Sequence, residues 1–156
     1  MASSSLFAVA VHILALLAME EGPLTSKHIS QSVNTHAVVI RRILGALSRG
    51  GLVNTQLGTD GGSSLARAPE QITLYEVYRA VDQGDLFALH RNPPNPECHC
   101  GRSIQPVLLK VFGQTGDAVR EALNKVTLLD VVNEIESCPV QACELPADLI
   151  SDPQQV

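Results

Sequence analysis

Thr25-Ser26-Lys27-His28-Ile29-Ser30-Gln31-Ser32-Val33-Asn34-Thr35-His36-Ala37-Val38-Val39-Ile40-Arg41-Arg42-Ile43-Leu44-Gly45-Ala46-Leu47-Ser48-Arg49-Gly50-Gly51 decides how this chain folds. Thr25 or Ser26 offers a side-chain oxygen to the first backbone N–H groups of a helix that runs through Ile29 to about Val33. Asn34-Thr35 breaks that helix, and Thr35 is placed to cap a second one from about His36 to Ser48. Val39, Ile40, Ile43, Leu44 and Leu47 recur at helical spacing and so share one face. Arg41 and Arg42 fall off that stripe, toward solvent or a partner. Gly50-Gly51 stops the helix, because glycine accepts the left-handed backbone of a C-terminal cap.

Working outward, Leu52-Val53-Asn54-Thr55 reads as a strand and Ser64-Leu65-Ala66 as its return. The loop between them carries Gly58, Gly61 and Gly62. Helix, turn, helix and hairpin in that order give a mainly α fold, a winged helix-turn-helix with a small two-stranded β-wing. In that plan the second helix enters the major groove of double-stranded DNA, and the hairpin reaches the flanking backbone or minor groove. The alternative is a helical hairpin and turn that only pack a core.

Charge separates the two. From Thr25 to Arg67 there are five basic residues and one acidic residue, Asp60, whereas the whole chain carries −5. A positive island in an acidic chain is the local footprint of phosphate binding, and only the docking face has to be positive. Aromatic residues make up 3% of the chain and Trp is absent. The core is therefore aliphatic, and a basic-aromatic platform for stacking single strands is not expected. Four Cys are too few for a disulfide scaffold at this length, which points to a reducing, cytoplasmic setting.

Leu6 to Met19 is almost wholly apolar. No Lys or Arg precedes it and Glu20-Glu21 follows, unlike a signal peptide. It is also shorter than the roughly 20 residues of a spanning helix, so no membrane association is expected. It reads as a buried helix, capped by Ser4 or Ser5 and stopped by Gly22-Pro23, with His12 in or near the core. Thr73 and Glu76 fit a capping box that opens a helix to about Asp82.

The run Gly61-Gly62-Ser63-Ser64-Leu65-Ala66-Arg67-Ala68-Pro69-Glu70-Gln71-Ile72-Thr73-Leu74-Tyr75-Glu76-Val77 resembles the wing-to-helix signature of the Rrf-two family of bacterial transcription regulators, relatives of IscR, NsrR and CymR. Gly84 to His90 and Asn95-Pro96-Glu97-Cys98 resemble its YwnA-like branch. The likeness covers roughly Leu6 to Ile135. Many members carry Arg-Gly near the wing tip and an aromatic residue after Gly-Gly; here Leu57-Gly58 and Ser63 stand there. The resemblance implies a weaker wing hold on the minor groove than in relatives with that Arg.

Asp85 to Arg102 holds Pro93, Pro94 and Pro96 and is expected to be extended. Ser103 is placed to cap a long helix with Pro106 in its first turn. Ile104, Val107, Leu108, Val111, Phe112, Thr115, Ala118, Val119, Ala122, Leu123 and Val126 form its apolar stripe. Gly113 and Gly116 mark a bend or a close helix crossing. The resemblance implies that this helix pairs with its mate in a homodimer, with Ile104, Leu108, Val111, Thr115, Ala118 and Ala122 at the interface. Thr127 to Asp130 repeats the capping pattern before a last helix to about Ile135, and a loose tail follows.

Cys98-His99-Cys100 lies before the long helix. Cluster-bearing relatives place three Cys in the corresponding loop, so the resemblance implies an iron–sulfur cluster only where that third thiol exists. The Cys98–Cys100 spacing is tighter than that of common Zn sites, so no metal and no cofactor are expected. Cys98 and Cys100 are instead candidate redox-sensing thiols, with Arg91, Arg102 and a protonated His99 favouring thiolate and Glu97 opposing it. Their resolving partner would be Cys138, Cys143 or a small thiol.

Together these residues describe a homodimeric, sequence-specific repressor of transcription, not an enzyme. Ser26, Lys27, Thr35, Arg41 and Arg42 are expected at phosphates. His36 and Val38 are expected at base edges or a thymine methyl, and Gln56 on DNA from the wing. Residues 1–84 make the DNA-binding domain, 85–102 the Pro-rich Cys/His loop, 103–136 the dimerisation helix and final helix, and 137–156 a flexible tail. The rival from another class is a winged-helix protein–protein module without DNA binding.

Overall fold

A helix with no polar stripe has to be packed on most of its sides, and α1 (Leu6–Met19) is, with Ala8, His12 and Met19 left exposed. The computed structural model describes residues 5–58, 61–82, 84 and 86–139. Ala10, Ile13, Leu14, Ala15 and Leu17 of α1 are buried, and the helix touches four other helices and the wing. Ser5 occupies the N-cap position without a side-chain bond, and Ser4 lies outside the described residues. His12 is exposed and lies 3.0 Å from the Ser32 hydroxyl.

Next come α2 (Ser26–Val33) and α3 (Ala37–Arg49). Thr25 caps α2, its hydroxyl accepting from the His28 N–H at 3.2 Å. Thr35 does not cap α3; His36 takes that position, without a side-chain bond. The reason is local. Asn34 turns left-handed at φ 56°, and the Thr35 N–H goes back to the Ser30 carbonyl at 3.1 Å. The Thr35 N–H thus closes α2, and α3 starts one residue later, with the His36 carbonyl receiving its first bonds.

At the far end Gly51 adopts φ 71°, with Leu52 N–H on the Leu47 carbonyl and Gly51 N–H on that of Ser48. This paired closure satisfies the last carbonyls of α3. It also uses Leu52, so the hairpin starts later than the sequence implies. β1 (Val53–Gln56) pairs antiparallel with β2 (Gly62–Leu65), Val53 facing Leu65 and Gln56 facing Gly62. Leu24 adds a further bridge to Ser63 through bonds of 2.9 and 2.8 Å, tying the wing to the segment before α2.

A 3-10 turn (Pro69–Gln71) leads into α4 (Leu74–Val81), where Thr73 and Glu76 form the expected capping box. Thr127 and Asp130 form a second box at the start of α6 (Leu128–Ser137), which runs two residues beyond the expected end. The two helix starts are joined, Leu74 N–H to the Val126 carbonyl and Leu128 N–H to that of Ile72.

Between them, α5 (His99–Asn124) begins four residues before the expected Ser103 cap, with Cys98 at the N-cap position. Gly101 allows this start: a Cβ there would lie 2.2 Å from the Asn95 carbonyl oxygen, so the 95–97 turn can sit on the first helical turn. Pro106 consequently lies inside the helix rather than in its first turn. Among the described residues nothing outside the helix's own adjacent backbone comes within 4 Å of a Cβ built on Gly113 or Gly116, and the helix is continuous there, so no close crossing occurs among them. Residues 140–156, most of the expected tail, lie outside the described residues.

Candidate nucleic-acid interface

The periodicity of α3 sorts its residues into two faces. Ile40, Ile43, Leu44 and Leu47 are buried against α1, α2 and α4, whereas Val39, expected on that face, is 36% exposed at its edge. His36, Val38, Arg41, Arg42 and Arg49 are exposed. Val38 is 67% exposed, a large bare methyl surface near the start of the helix. A helix about 10–12 Å across matches the major groove of B-DNA.

Arg41 and Arg42 are sequence neighbours but diverge in space. Arg41 lines a cavity of about 550 Å³ between α3 and the wing, together with Ser26, Gly45, Ser48 and Gln56. Arg42 lies on the other flank with Arg49, above Ala80 and Val81 of α4. The structure thus brings Ser26, Arg41 and Gln56 to one groove. Lys27, Thr35, His36, Val38 and Arg42 are set around it rather than in it. Lys27 and Gln56 are exposed, while Thr35 and Ser26 are partly covered.

Arg49, Gly45 and Leu57 extend this surface beyond the expected contact residues. Arg49 follows Arg42 by seven residues, two helical turns, and so returns to the same side. Gly45 exposes the helix backbone midway between Arg41 and Arg49. Leu57 stands at the wing tip, 98% exposed.

Arg67, counted in the basic island, is drawn away from it. Its guanidinium pairs with Glu76 at 2.8 Å and donates to the Gln71 carbonyl at 3.2 Å. Burial alone would raise the Glu76 carboxyl. The Thr73 N–H, the Arg67 guanidinium and the Thr73 hydroxyl outweigh it and hold the group below its usual value. No ion pair engages Lys27, Arg41, Arg42 or Arg49 among the described residues. Those four cations stand open on this side of the protein.

Cys98 and Cys100 are exposed free thiols at the start of α5. Cys138 is disulfide-bonded, so that thiol is not available to resolve them, and Cys143 lies outside the described residues. Among the described residues no three His, Cys, Asp or Glu side chains gather as a metal-ligand set. No described helix is long and apolar enough to cross a membrane.

Residues 3–134 match the Rrf2 family model, described as an iron-dependent transcriptional regulator. The Bacillus subtilis protein YwnA, which bears the name of an HTH-type transcriptional regulator, is 41% identical over 133 residues, 85% of this chain and 98% of YwnA. A crystal structure of a protein described as DNA-binding superposes with TM-score 0.68 at 35% identity, covering 83% of this chain and all of that one. The structure of CymR, the global cysteine regulator of B. subtilis, shares the fold with TM-score 0.61 at 24% identity, over 85% and 97% of the two chains. With its helix-turn-helix, its wing and a match over most of its length, this chain belongs to the Rrf2 family of winged-helix, DNA-binding transcriptional regulators.

Proposed function

We propose that the protein is a homodimeric repressor that lays α3 in the major groove of double-stranded DNA. Ser26, Lys27, Thr35, Arg41 and Arg42 hold phosphates, His36 and Val38 meet base edges, and Gln56 contacts DNA from the wing. Residues 1–84 act as the DNA-binding unit and 103–136 as the dimerising one. The observation that carries the reading is the exposed Val38 flanked by cations without ion-pair partners among the described residues, beside a wing that forms a groove with the same helix.

The test is selection of bound fragments from the source genome, then titration at two salt concentrations. Each phosphate contact contributes about −0.9 to the slope of log affinity against log salt. Arg41→Ala with Arg42→Ala should flatten that slope by about 2 per chain and leave helix content unchanged. An unchanged slope and affinity would remove both arginines from the interface.

The exposed, free state of Cys98 and Cys100 favours a second, regulatory reading, in which the thiols sense oxidants at the start of the dimer helix. Diamide treatment of protein purified without air, with mass analysis and DNA titration, tests it. Unmodified thiols, or modified thiols with unchanged DNA affinity, would reject it.

A further inference from the structure

Three Phe, two Tyr and no Trp are all the aromatic residues of this chain. Four of the five line one cavity of about 970 Å³ between α4, α5 and the 84–89 segment. Tyr75 and Tyr78 stack along its α4 wall, ring centroids 6.5 Å apart and planes at 29°. Phe87 and Phe112 stack on the wall made by α5 and the 84–89 segment, at 5.1 Å and 29°. The fifth ring, Phe7, meets Tyr78 edge-on from α1 at 5.8 Å. The buried core itself is wholly aliphatic, so the rings are concentrated where the surface is concave.

Two further features describe what would fill it. Gly113 and Gly116 also line the cavity, and a Cβ at either would meet nothing within 4 Å. The helix thus forgoes propensity at both positions, relative to Ala, where no neighbour among the described residues demands it. Arg79 lines the same cavity and has no hydrogen-bond or ion-pair partner among the described residues. Asp82, one turn on, accepts from the Gly84 N–H at 3.1 Å and limits the negative charge the cavity can take.

From this we infer that the cavity is a binding site for a small aromatic monocarboxylate. Its ring would lie between the tyrosine and phenylalanine pairs and its carboxylate on Arg79. The site is also placed to affect DNA. Val77 and Ala80, off the cavity side of α4, face the core and α3; a Cβ on Gly50 would come within 3.0 Å of the Ala80 methyl. Displacing α4 therefore shifts the C-terminal end of the groove-facing helix. This regulatory half rests on the DNA-binding reading; the binding half does not.

Because both tyrosines line the cavity and Trp is absent, tyrosine emission reports on it directly. The probes are 4-phenylbutyrate, its amide and butyrate. A saturable emission change is expected with 4-phenylbutyrate, about tenfold weaker affinity for the amide through loss of a charge-assisted bond, and no response to butyrate. Arg79→Gln should erase the preference of acid over amide. Gly116→Leu should fill the cavity and abolish the response; Arg79→Gln, an exposed change, keeps the test decisive if the leucine variant misfolds.

No saturable change up to about 10 mM, equal affinity for acid and amide, or emission that follows protein concentration alone would overturn the site. The last outcome would mean that a second copy occupies it. At saturation the DNA titration midpoint should move by about fivefold or more. An unmoved midpoint with saturable binding would overturn the regulatory half alone.

Discussion

Leu57 and Gly62 show how single residues set the character of the wing. At 98% exposure Leu57 is held by nothing, so its identity is free of packing constraints. Leu57→Arg should therefore leave stability unchanged and steepen the salt slope of DNA binding by about one contact per chain. Titration at low and moderate salt measures this; an unaltered slope would mean that the wing tip does not reach phosphate. Gly62 is the opposite case. A Cβ there would lie 2.8 Å from the Leu24 carbonyl oxygen, backbone that the Leu24–Ser63 bridge holds in place. Gly62→Ala should cost about 1–3 kcal/mol by urea unfolding and weaken DNA binding with it, because the wing must move away.

At the scale of elements, the two capping boxes fix where α4 and α6 begin, and the strands of backbone just before them pair with each other. Thr73→Ala should cost about 1 kcal/mol, since it strips one partner from the first turn of α4. The Glu76 end of that box is sensitive to acid. Its carboxyl sits below the ordinary value of 4.5 in the folded chain, so its contribution is fully present above that value and is lost as pH falls through the folded one. Removing Arg67 takes away one of the groups that hold it down. Arg67→Ala should thus leave neutral-pH folding nearly intact, because the pair is solvent-screened, and should shrink the acid-dependent loss. Circular dichroism from pH 7 down to about 3 would show it, and an identical acid profile in the variant would discount the ion pair.

For the molecule as a whole, the long helix is the element this single chain does not finish covering. None of its residues is fully buried, and Val107 and Val111 remain 57% and 47% exposed. The face toward α4 carries Phe112, Gly116 and Val119; the proposed dimer seam of Ile104, Leu108, Val111, Thr115, Ala118 and Ala122 runs along its edge and outward. Val111→Asp tests the seam with little risk to the monomer fold, because the side chain is already open to water in one chain. Sedimentation should show the dimer weakened on the order of 100-fold, as an unpaired charge would be buried between subunits. A wild-type protein that sediments as a monomer at micromolar concentration would remove the seam altogether.

What the residues determined alone was the set of elements with strong local grammar. The aliphatic period of α3, the Gly50-Gly51 closure and both Thr-led capping boxes act over a few residues, so spacing suffices to read them. The outward face of α3, with Val38, Arg41 and Arg42, follows from the same period. Tertiary structure decided what depends on groups distant in sequence. The cap position of α3 passed from Thr35 to His36 as the Thr35 N–H closed α2, α5 started early because Asn95 sits on Gly101, and Arg67 left the basic island for Glu76. Arg41 and Arg42 were parted by the wing on one side and α4 on the other. Four scattered rings became one cavity only when α4, α5 and the 84–89 segment met, because no local period records which helices will pack together.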